Sequence, residues 1–475
     1  VTLINFMITS EGLADQLLAI IVKKEMPEKE EQKKQLIKES AENKDELRKL
    51  EDKILETLAQ PKDQLLESEN AIEVLTKSKK KSNEIREKQI MAEATEKDIN
   101  EARQNYITIS NTASCLFFAI SDLGNIDPMY QYSLTYFIDL FQASIDKAER
   151  SPDIPARLGY IEAHFLYSLY LNISRSLFVK DKLLFSFLLC VRLKEFRNEI
   201  NPQYYNFFLT GSVGKPKSYI NPPQGSDWLT KYQWENFCKV SEFKGPFDNI
   251  HRNFEPIMDE WKRIYDSEDP LKEKFPEPYE RTMNSFEKMI LIKIIRPDKI
   301  VPFIQQFVID NLGQKFVEIP AFDLEAVFNE SSKTTPLIFV LTPGVDPYNM
   351  LKTFADKKGT ILEGISLGQG QGEIALKKIA EASEQGFWVV LQNCHLAESF
   401  MNPLEKKCDE ISLAPGKIVD NFRLWLTSYP SKTFPSSILQ NGIKMTNEPP
   451  SGLKNNLKTA LMIDEITNPA NFNKS

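Results

Sequence analysis

The sequence feature that most constrains the fold is a series of four short apolar runs, which alternate with helical segments in the C-terminal third of the chain. The runs are 337–341, 364–367, 387–392 and 422–427, and the helical segments lie near 347–357, 373–385 and 397–411. Strands that alternate with helices of this length form a parallel sheet that is covered on both faces. The sequence therefore predicts a parallel α/β domain in this part of the chain.

The preceding segments are mainly helical. Residues 1–22 predict a strand, "VTLINFMI", followed by an amphipathic helix with Thr9 or Ser10 as its N-cap. Residues 106–200 are apolar and largely helical, whereas 200–300 are rich in Pro, Trp, Tyr and Phe. That composition predicts an irregular insertion with many loops and short helices. The fold class is therefore α/β plus all-α.

Residues 23–105 are highly charged. Between Lys23 and Gln60 there are 10 Lys or Arg and 11 Asp or Glu among 38 residues, and a second charged helix follows the break "QPKDQLLES". The apolar residues form one thin seam on each helix: Leu47, Leu50, Ile54 and Leu58 on the first, Ile85, Ala92 and Ile99 on the second. Two such helices predict an antiparallel coiled-coil hairpin. The alternative is a pair of solvated surface helices. The thin seam indicates that a hairpin would be stabilised by contact with a partner.

Composition excludes several classes of function. The net charge of −8 argues against a general nucleic-acid or anionic-membrane surface. Five cysteines without a C-x-x-C pair indicate free, mostly buried thiols in a reducing compartment. Three histidines far apart in sequence argue against a zinc site. Apolar runs such as 183–191 are too short to span a bilayer. Because the chain lacks an initiator Met and opens inside an apolar run, we interpret it as an internal piece of a larger protein.

The stretch "LIFVLTPGVDPYNMLKTFA" at 337–355 has the strand–turn–helix form of a phosphate-binding loop. A P-loop has the pattern G-x-x-x-x-G-K-[ST], in which Lys contacts the phosphates and the hydroxyl contacts Mg²⁺. At that spacing this chain has Thr342 for the first Gly and Pro347 for the last. Tyr348 replaces the Lys and Asn349 the hydroxyl residue. Pro347 removes an amide donor, and Asp346 places a negative charge where phosphates would lie.

The third apolar run carries a related change. In P-loop ATPases it ends in two acidic residues, but "WVVLQN" ends in the neutral Gln392 and Asn393. Neither amide can act as a base or balance the charge of a metal ion. Together these positions predict a degenerate nucleotide site with no catalytic residue, no bound cofactor and no metal. The alternative is an ordinary α/β sheet that is unrelated to P-loop proteins.

Two further stretches, 367–375 and 394–395, contain residue types that occur in binding or catalytic sites. "LGQGQGEIA" at 367–375 is glycine-rich and opens a helix, which predicts either a tight turn or an anion site. It lacks the dinucleotide fingerprint, because Glu373 stands where a Gly is required. Cys394 and His395 are adjacent, and neighbouring residues of a strand point to opposite faces. The sequence therefore does not favour a nucleophile–base pair there.

Several long blocks resemble the dynein heavy chain, and they cover essentially the whole chain in the same order. They include "VTLINFMITSEGLADQLL", "DPMYQYSLTYFIDLF", "SLFVKDKLLFSFLLC", "PLIFVLTPGVDP", "SLGQGQGEIA", "WVVLQNCHLA", "FRLWLTSYPS" and "ILQNGIKMTNEPPSGL". The sequences of the later blocks resemble those of axonemal dyneins more than those of cytoplasmic dyneins. They also resemble inner-arm chains more than outer-arm chains.

The resemblance implies a P-loop-type (AAA+) parallel α/β domain, preceded by a helical lid domain that carries the hairpin. It places residues 1–22 at the end of the fifth AAA+ large domain and the start of its small domain. Residues 23–105 would be the buttress or strut, 106–153 the rest of the small domain, and 154–475 the sixth, non-catalytic large domain. In this family the sixth module closes the ring and transmits conformational change.

The resemblance also implies a function and partners. The segment would brace the microtubule-binding stalk of a minus-end-directed ciliary motor, with Mg-ATP bound at other modules. Its partners would be the remaining AAA+ modules and stalk, microtubules through the stalk, and intermediate and light chains, but neither nucleic acid nor membrane. Two alternatives stay open at this point: an independent coiled-coil scaffold with an inert α/β domain, and a working ATPase with unusual residues.

Overall fold

A computed structural model describes residues 8–58, 69–243, 245–318, 322–368 and 370–449, together with the single positions 453, 456, 457 and 461. The chain divides into two compact units. The first contains the described residues up to 115 and residues 138–166. The second contains 116–137 and the described residues from 167 onward. The domain boundaries expected from the sequence stay predictions.

The helices and strands follow the order that the sequence indicates, with helices before the sheet. The helices are α1 (Ser10–Glu25), α2 (Pro27–Leu58), α3 (Glu69–Gln104), α4 (Ile107–Ser121), α5 (Leu134–Lys147), α6 (Ile154–Ser174), α7 (Val179–Phe196), α8 (Pro202–Thr210), α9 (Lys231–Val240), α10 (Met258–Asp266), α11 (Tyr279–Thr282), α12 (Ser285–Ile295), α13 (Ile300–Leu312), α14 (Leu324–Glu330), α15 (Tyr348–Lys358), α16 (Gly372–Gln385), α17 (Glu398–Leu413) and α18 (Ser436–Asn441). The strands are β1 (Leu337–Leu341), β2 (Leu362–Ser366), β3 (Trp388–Gln392), β4 (Arg423–Ser428) and β5 (Ile443–Asn447).

The first unit begins with the predicted capped helix. Thr9 is the N-cap of α1, and its Oγ1 accepts a hydrogen bond from the Gly12 N–H at 3.1 Å. This bond satisfies one of the amides that the first turn of a helix leaves free. The strand predicted at 1–8 lies, apart from Ile8, outside the described residues.

Helices α2 and α3, called the charged helix pair below, pack against each other. Glu30 at the start of α2 pairs with Arg103 at the end of α3 at 2.8 Å, which requires an antiparallel arrangement. Of the predicted seam, Ile85 and Ile99 are buried, while Leu47 and Ala92 are partly buried. The side chains of Leu50, Ile54 and Leu58 and the break at 60–68 lie outside the described residues. The interpretation of the pair as a coiled-coil hairpin of a lid domain stays a prediction.

Helix α4 passes one test for a membrane span. Together with its short 3₁₀ extension, Ile107–Asn125 is long and apolar enough by length and composition, although half of its apolar window is buried inside the protein. The sequence analysis predicted that the apolar runs are too short to span a bilayer, and Ile107–Asn125 is an exception by length and composition. A buried core helix of a soluble protein passes the same test.

The second unit contains a five-stranded sheet in the order β2-β3-β4-β1-β5, and all neighbouring strands run parallel. Its core includes neighbouring aromatic rings: the Trp425 centroid lies 5.5 Å from that of Trp388 in a tilted arrangement and 6.0 Å from that of Phe339 in a stacked one. Helices α14 and α15 cover this face through Val327 and Leu351. Residues of the opposite face are buried as well: Ile338, Val340, Val389, Leu391, Leu424 and Leu426. The predicted parallel sheet, covered on both faces, is confirmed.

Two strand predictions need correction. The second strand begins at Leu362, two residues before the predicted 364, because Leu362 pairs with Trp388. It lies at the edge of the sheet and is only partly buried, so its first residues give no apolar signal. The fifth strand, Ile443–Asn447, was not predicted, because Lys444 and Thr446 interrupt its apolar pattern. Lys444 is nevertheless buried.

Gly442, immediately before β5, gives a first testable prediction. A Cβ at this position would lie 2.7 Å from the Ile438 carbonyl oxygen and 2.7 Å from Ile338 Cδ1. Because the carbonyl oxygen belongs to the backbone and cannot rotate away, we expect Gly442→Ala to destabilise the chain by about 1–3 kcal/mol. Thermal unfolding would measure this as a lower melting temperature. Gly416→Ala, with no atom within 4 Å of its Cβ, is the control; equal melting temperatures for both variants would contradict the prediction.

Candidate functional site

The order of the strands places a topological switch point at the carboxyl edge of the sheet. The connection from β1 to β2 passes β4 and β3 toward one edge of the sheet. The connection from β4 to β5 passes β1 toward the other edge. Connections that leave adjacent parallel strands in opposite directions open a crevice between their carboxyl ends, and ligands of α/β proteins bind there. The predicted phosphate loop follows β1, and Gln392 and Asn393 stand at the end of β3. The structure thus brings both sets of predicted site residues to one edge.

The start of α15 is occupied by a carboxylate of the chain itself. Asp346 Oδ1 accepts a hydrogen bond from the Tyr348 N–H at 2.9 Å. Pro347, the residue before the helix, is buried and has no N–H to donate. The first helical amide is therefore already satisfied, and the exposed Asp346 adds negative charge where an anion would otherwise be favoured.

Tyr348 packs against the sheet. A Cβ at Gly364 of β2 would lie 2.7 Å from Tyr348 Cε2, so the absence of a side chain at Gly364 makes room for the ring. Tyr348 also packs against the aromatic core described above. Asn349 is exposed, and Thr342 Oγ1 lies 3.4 Å from the carbonyl oxygen of Asn447 in β5. The ring of Tyr348 therefore lies over Gly364 and packs against the hydrophobic core.

At the end of β3, Asn393 links three strands through neutral hydrogen bonds. Its N–H donates to Thr427 Oγ1 of β4 at 3.2 Å, and its side-chain amide donates to Ser366 Oγ of β2 at 3.3 Å. Asn393 has φ 60° and ψ 42°, the left-handed region that Asn tolerates better than most residues. The Gln392 carbonyl oxygen accepts from the Leu367 N–H at 2.9 Å. These bonds hold the strand ends together.

Thr427 and Ser366 were not among the predicted site residues. Each stands at or near the end of a predicted strand, and that position was the signal that could have identified them. A hydroxyl next to a strand end is common, however, and only the distance to Asn393 distinguishes these two.

Cys394 and His395 make separate contacts. Cys394 is buried, its Sγ donates to the Leu391 carbonyl oxygen at 3.6 Å, and burial raises the pKa of the thiol to about 12. His395 Nδ1 accepts from the Tyr429 N–H at 3.2 Å, with 4.6 Å between the two ring centroids. Burial lowers the pKa of His395 below its usual value, which favours the neutral imidazole. A protonated thiol and an imidazole that is already hydrogen-bonded do not form a nucleophile–base pair.

Two of the glycines at 367–375, Gly370 and Gly372, have a structural reason. A Cβ at Gly372, the first residue of α16, would lie 2.7 Å from the ring of Phe400 in α17. Gly370 has φ +77°, which favours glycine. Gln369 lies outside the described residues. These observations support the tight turn over the anion site.

Within the described part of the chain, no group of three or more His, Cys, Asp or Glu side chains is placed to hold a metal ion.

Two protein-family models match the chain. One, described as the P-loop domain of dynein heavy chain region D6, matches residues 332–446, which include β1 to β4 and most of β5. The other, described as an ATP-binding dynein motor region, matches residues 1–85. The predicted P-loop-type sheet is thereby confirmed, and the alternative of an unrelated α/β sheet is wrong.

Curated proteins similar to the chain include several axonemal heavy chains. Dynein axonemal heavy chain 3 of Homo sapiens is 48% identical over 99% of this chain and 11% of that protein. Dynein axonemal heavy chain 1 of Homo sapiens is 42% identical over 96% of this chain and 11% of that protein. Dynein axonemal heavy chain 2 of Mus musculus is 37% identical over 100% of this chain and 11% of that protein. The chain therefore spans about a tenth of the length of these relatives.

Proposed function

Because this chain belongs to the family of axonemal dynein heavy chains, we propose that it is a mechanical, non-catalytic segment of a dynein motor ring. Axonemal dynein heavy chains are cytoskeletal components of cilia or flagella, and the segment contains an AAA+ domain of their ATP-binding motor region. Close similarity to heavy chains over nearly the whole segment does not favour a stand-alone scaffold protein. The inner-arm assignment stays a prediction.

The observation that carries this proposal is the way the phosphate position is filled. The carboxylate of Asp346 binds the first amide of the helix, and the ring of Tyr348 packs against the core. At the end of β3, Asn393 uses its amide to join strands. Neither position offers the positive charge or the metal-balancing carboxylates that phosphoryl transfer requires. The strand–loop–helix frame serves as architecture.

We further propose that the chain spans the junction of the fifth and sixth AAA+ modules, with the domain boundaries given by the resemblance. Its partners are then the remaining modules and the stalk of the same heavy chain, microtubules through the stalk, and intermediate and light chains. Mg-ATP is bound and hydrolysed at other modules. This segment closes the ring and transmits the resulting conformational change.

The surface of the charged helix pair supports a bracing role. Between α2 and α3 lies a groove of about 350 Å³, whose lining includes Leu36, Ile37 and Ala92. Ile90 and Met91 are 65% and 73% exposed on α3. A partner that packs against the pair would cover these exposed apolar side chains. We propose that the stalk is the partner and that the pair is the buttress of the motor.

Nucleotide binding tests the non-catalytic role. We expect isothermal titration of Mg-ATP into the 475-residue chain to give no saturable heat, with a Kd weaker than about 1 mM. The variant Tyr348→Lys should behave in the same way, since Pro347, Asp346 and the neutral end of β3 remain. Circular dichroism of the same samples controls for folding. Saturable binding that requires Mg²⁺ would refute the proposal and favour a working ATPase with unusual residues.

A further inference from the structure

The charged helix pair is held at its base by one buried arginine. Arg157 in α6 is 3% exposed, and all five of its N–H groups donate hydrogen bonds. Nε and Nη2 bind both carboxylate oxygens of Glu25 at 3.1 and 2.8 Å. The other three bonds, of 2.7–2.9 Å, reach the carbonyl oxygens of Ile145, Ala148 and Glu149. A guanidinium that uses every donor is fixed in position and orientation.

These contacts lie where α2 starts. Glu25 is the last residue of α1, Met26 leaves the helix with φ −137° and ψ 63°, and Pro27 begins α2. The carbonyl groups that Arg157 binds are at the end of α5, where helix carbonyls lack internal partners and carry partial negative charge. Arg157 therefore joins the ends of two helices at the point from which the charged helix pair departs.

The charge pairs become more exposed along the pair. Glu25 and Arg157 side chains are 9% and 4% exposed, and Glu30 and Arg103, one turn farther, are each 13% exposed. Farther along, Glu46 of α2 pairs with Lys81 of α3, and these side chains are 42% and 54% exposed. Exposed pairs contribute little, whereas breaking a buried pair is costly. The charge pairs at the base are therefore expected to hold the helices more firmly than the exposed pair farther along α2 and α3.

We propose that Arg157 is the positioning residue that fixes the direction in which the charged helix pair leaves its base. In a motor where this pair braces the stalk, which rests on the function proposed above, a fixed base makes the pair a lever. Movement of the base is then transmitted along the pair. With a loose base, the same movement would be lost as bending at Met26.

A lysine at this position is the informative substitution. Arg157→Lys keeps the charge, but a single ammonium has three donors and cannot hold both carboxylate oxygens together with the three carbonyl groups. Glu25→Gln is the second variant, since it keeps the size and removes the charge. Arg150→Gln is the matched control: Arg150 pairs with the same carboxylate at 3.2 Å, but its side chain is 65% exposed.

The test uses the full heavy chain with fluorescent dyes at two exposed positions, Arg48 on α2 and Asp139 on α5. Arg48 lies about 30 Å along the helix from Pro27, so a change in direction at the base alters the distance between the dyes. We expect Arg157→Lys and Glu25→Gln to broaden the distribution of this distance, and Arg150→Gln to leave it unchanged. Microtubule-stimulated ATPase should fall about five-fold in Arg157→Lys, which is the size of effect that a typical coupling between two sites produces. Basal ATPase should remain and show that the motor is folded.

The outcomes separate this inference from the function on which it rests. An unchanged distance distribution in both Arg157→Lys and Glu25→Gln would overturn it, as would an equal broadening in Arg150→Gln. A broader distribution with wild-type microtubule stimulation would support the positioning role of Arg157 and refute the bracing function.

Discussion

Replacement of Lys444 by methionine is expected to remove a rise in stability that the chain gains between pH 7 and pH 9.5. Lys444 lies in β5 and is 3% exposed. Its Nζ donates to the carbonyl oxygens of Gln131 and Leu439 and lies 4.1 Å from the centre of the Tyr132 ring. Burial, together with the nearby charge of Arg175, lowers the pKa of Lys444 from 10.5 to about 7. The folded chain therefore releases this proton at a lower pH than the unfolded chain.

The direction of the change in stability with pH follows from the number of protons that each state binds. Between pH 7 and 10.5 the unfolded state holds the Lys444 proton more tightly than the folded state, so stability rises with pH in this window. Below pH 7 both states are protonated, and the cost of burying the charge is fully present. One pKa unit corresponds to about 1.4 kcal/mol, so the gain from pH 7 to pH 9.5 is about 3 kcal/mol.

Melting temperatures at pH 7 and pH 9.5 would measure the effect. The difference between the two pH values should be larger for the wild type than for Lys444→Met, because only the wild type contains the buried amine. Lys432→Met, at an exposed position, controls for the loss of one lysine. If the wild type and Lys444→Met shift equally with pH, Lys444 does not carry the predicted proton linkage.

The sequence predicted the central strands because their burial leaves a direct signal. Both β1 and β4 are buried along their whole length; β1 is a continuous apolar run, and β4 contains the apolar run Leu424–Leu426. β5 gives no such signal, because the buried Lys444 reaches its partners with a polar group. No local pattern distinguishes a lysine that finds buried carbonyl oxygens from one that is solvated.

The sequence predicted which residues form the candidate site, but it did not predict what those residues contact. The spacing from β1 identified Tyr348, and the end of the third run identified Asn393. That the Tyr348 ring fits over Gly364, and that Asn393 binds Thr427, depends on which strands are neighbours. The order of the strands in the sheet is set by long-range pairing, which the sequence pattern does not contain.

The base of the charged helix pair was not predicted for the same reason. Arg157 lies 132 residues from Glu25, and no periodic pattern links them. Helical periodicity predicted α2 and α3 as elements because each repeats a local signal. The contacts that decide how firmly they are held come from a helix far along the chain.

The double substitution Ile85→Asp with Ile99→Asp is expected to uncouple the motor from its track. Both isoleucines are buried, at 4% and 2% exposure, in the thin seam of the charged helix pair. At about 25 cal/mol per Å², so small a seam contributes only a few kcal/mol before the entropy of ordering is subtracted. Two carboxylates in the seam would be desolvated unless the helices separate. We therefore expect α2 and α3 to separate.

The measurement is the ATPase rate of the full heavy chain against tubulin concentration. In the double variant, basal ATPase should stay close to the wild-type value, since nucleotide is hydrolysed at other modules, while most of the microtubule stimulation and gliding is lost. Asn83→Asp with Ala94→Asp introduces the same charge at two exposed positions of α3 and should behave like the wild type. The comparison isolates the seam, because both variants add carboxylates to one helix and only one places them between the helices. Stimulation that survives in the double variant would mean that the charged helix pair is a solvated surface feature and that force reaches the stalk by another element.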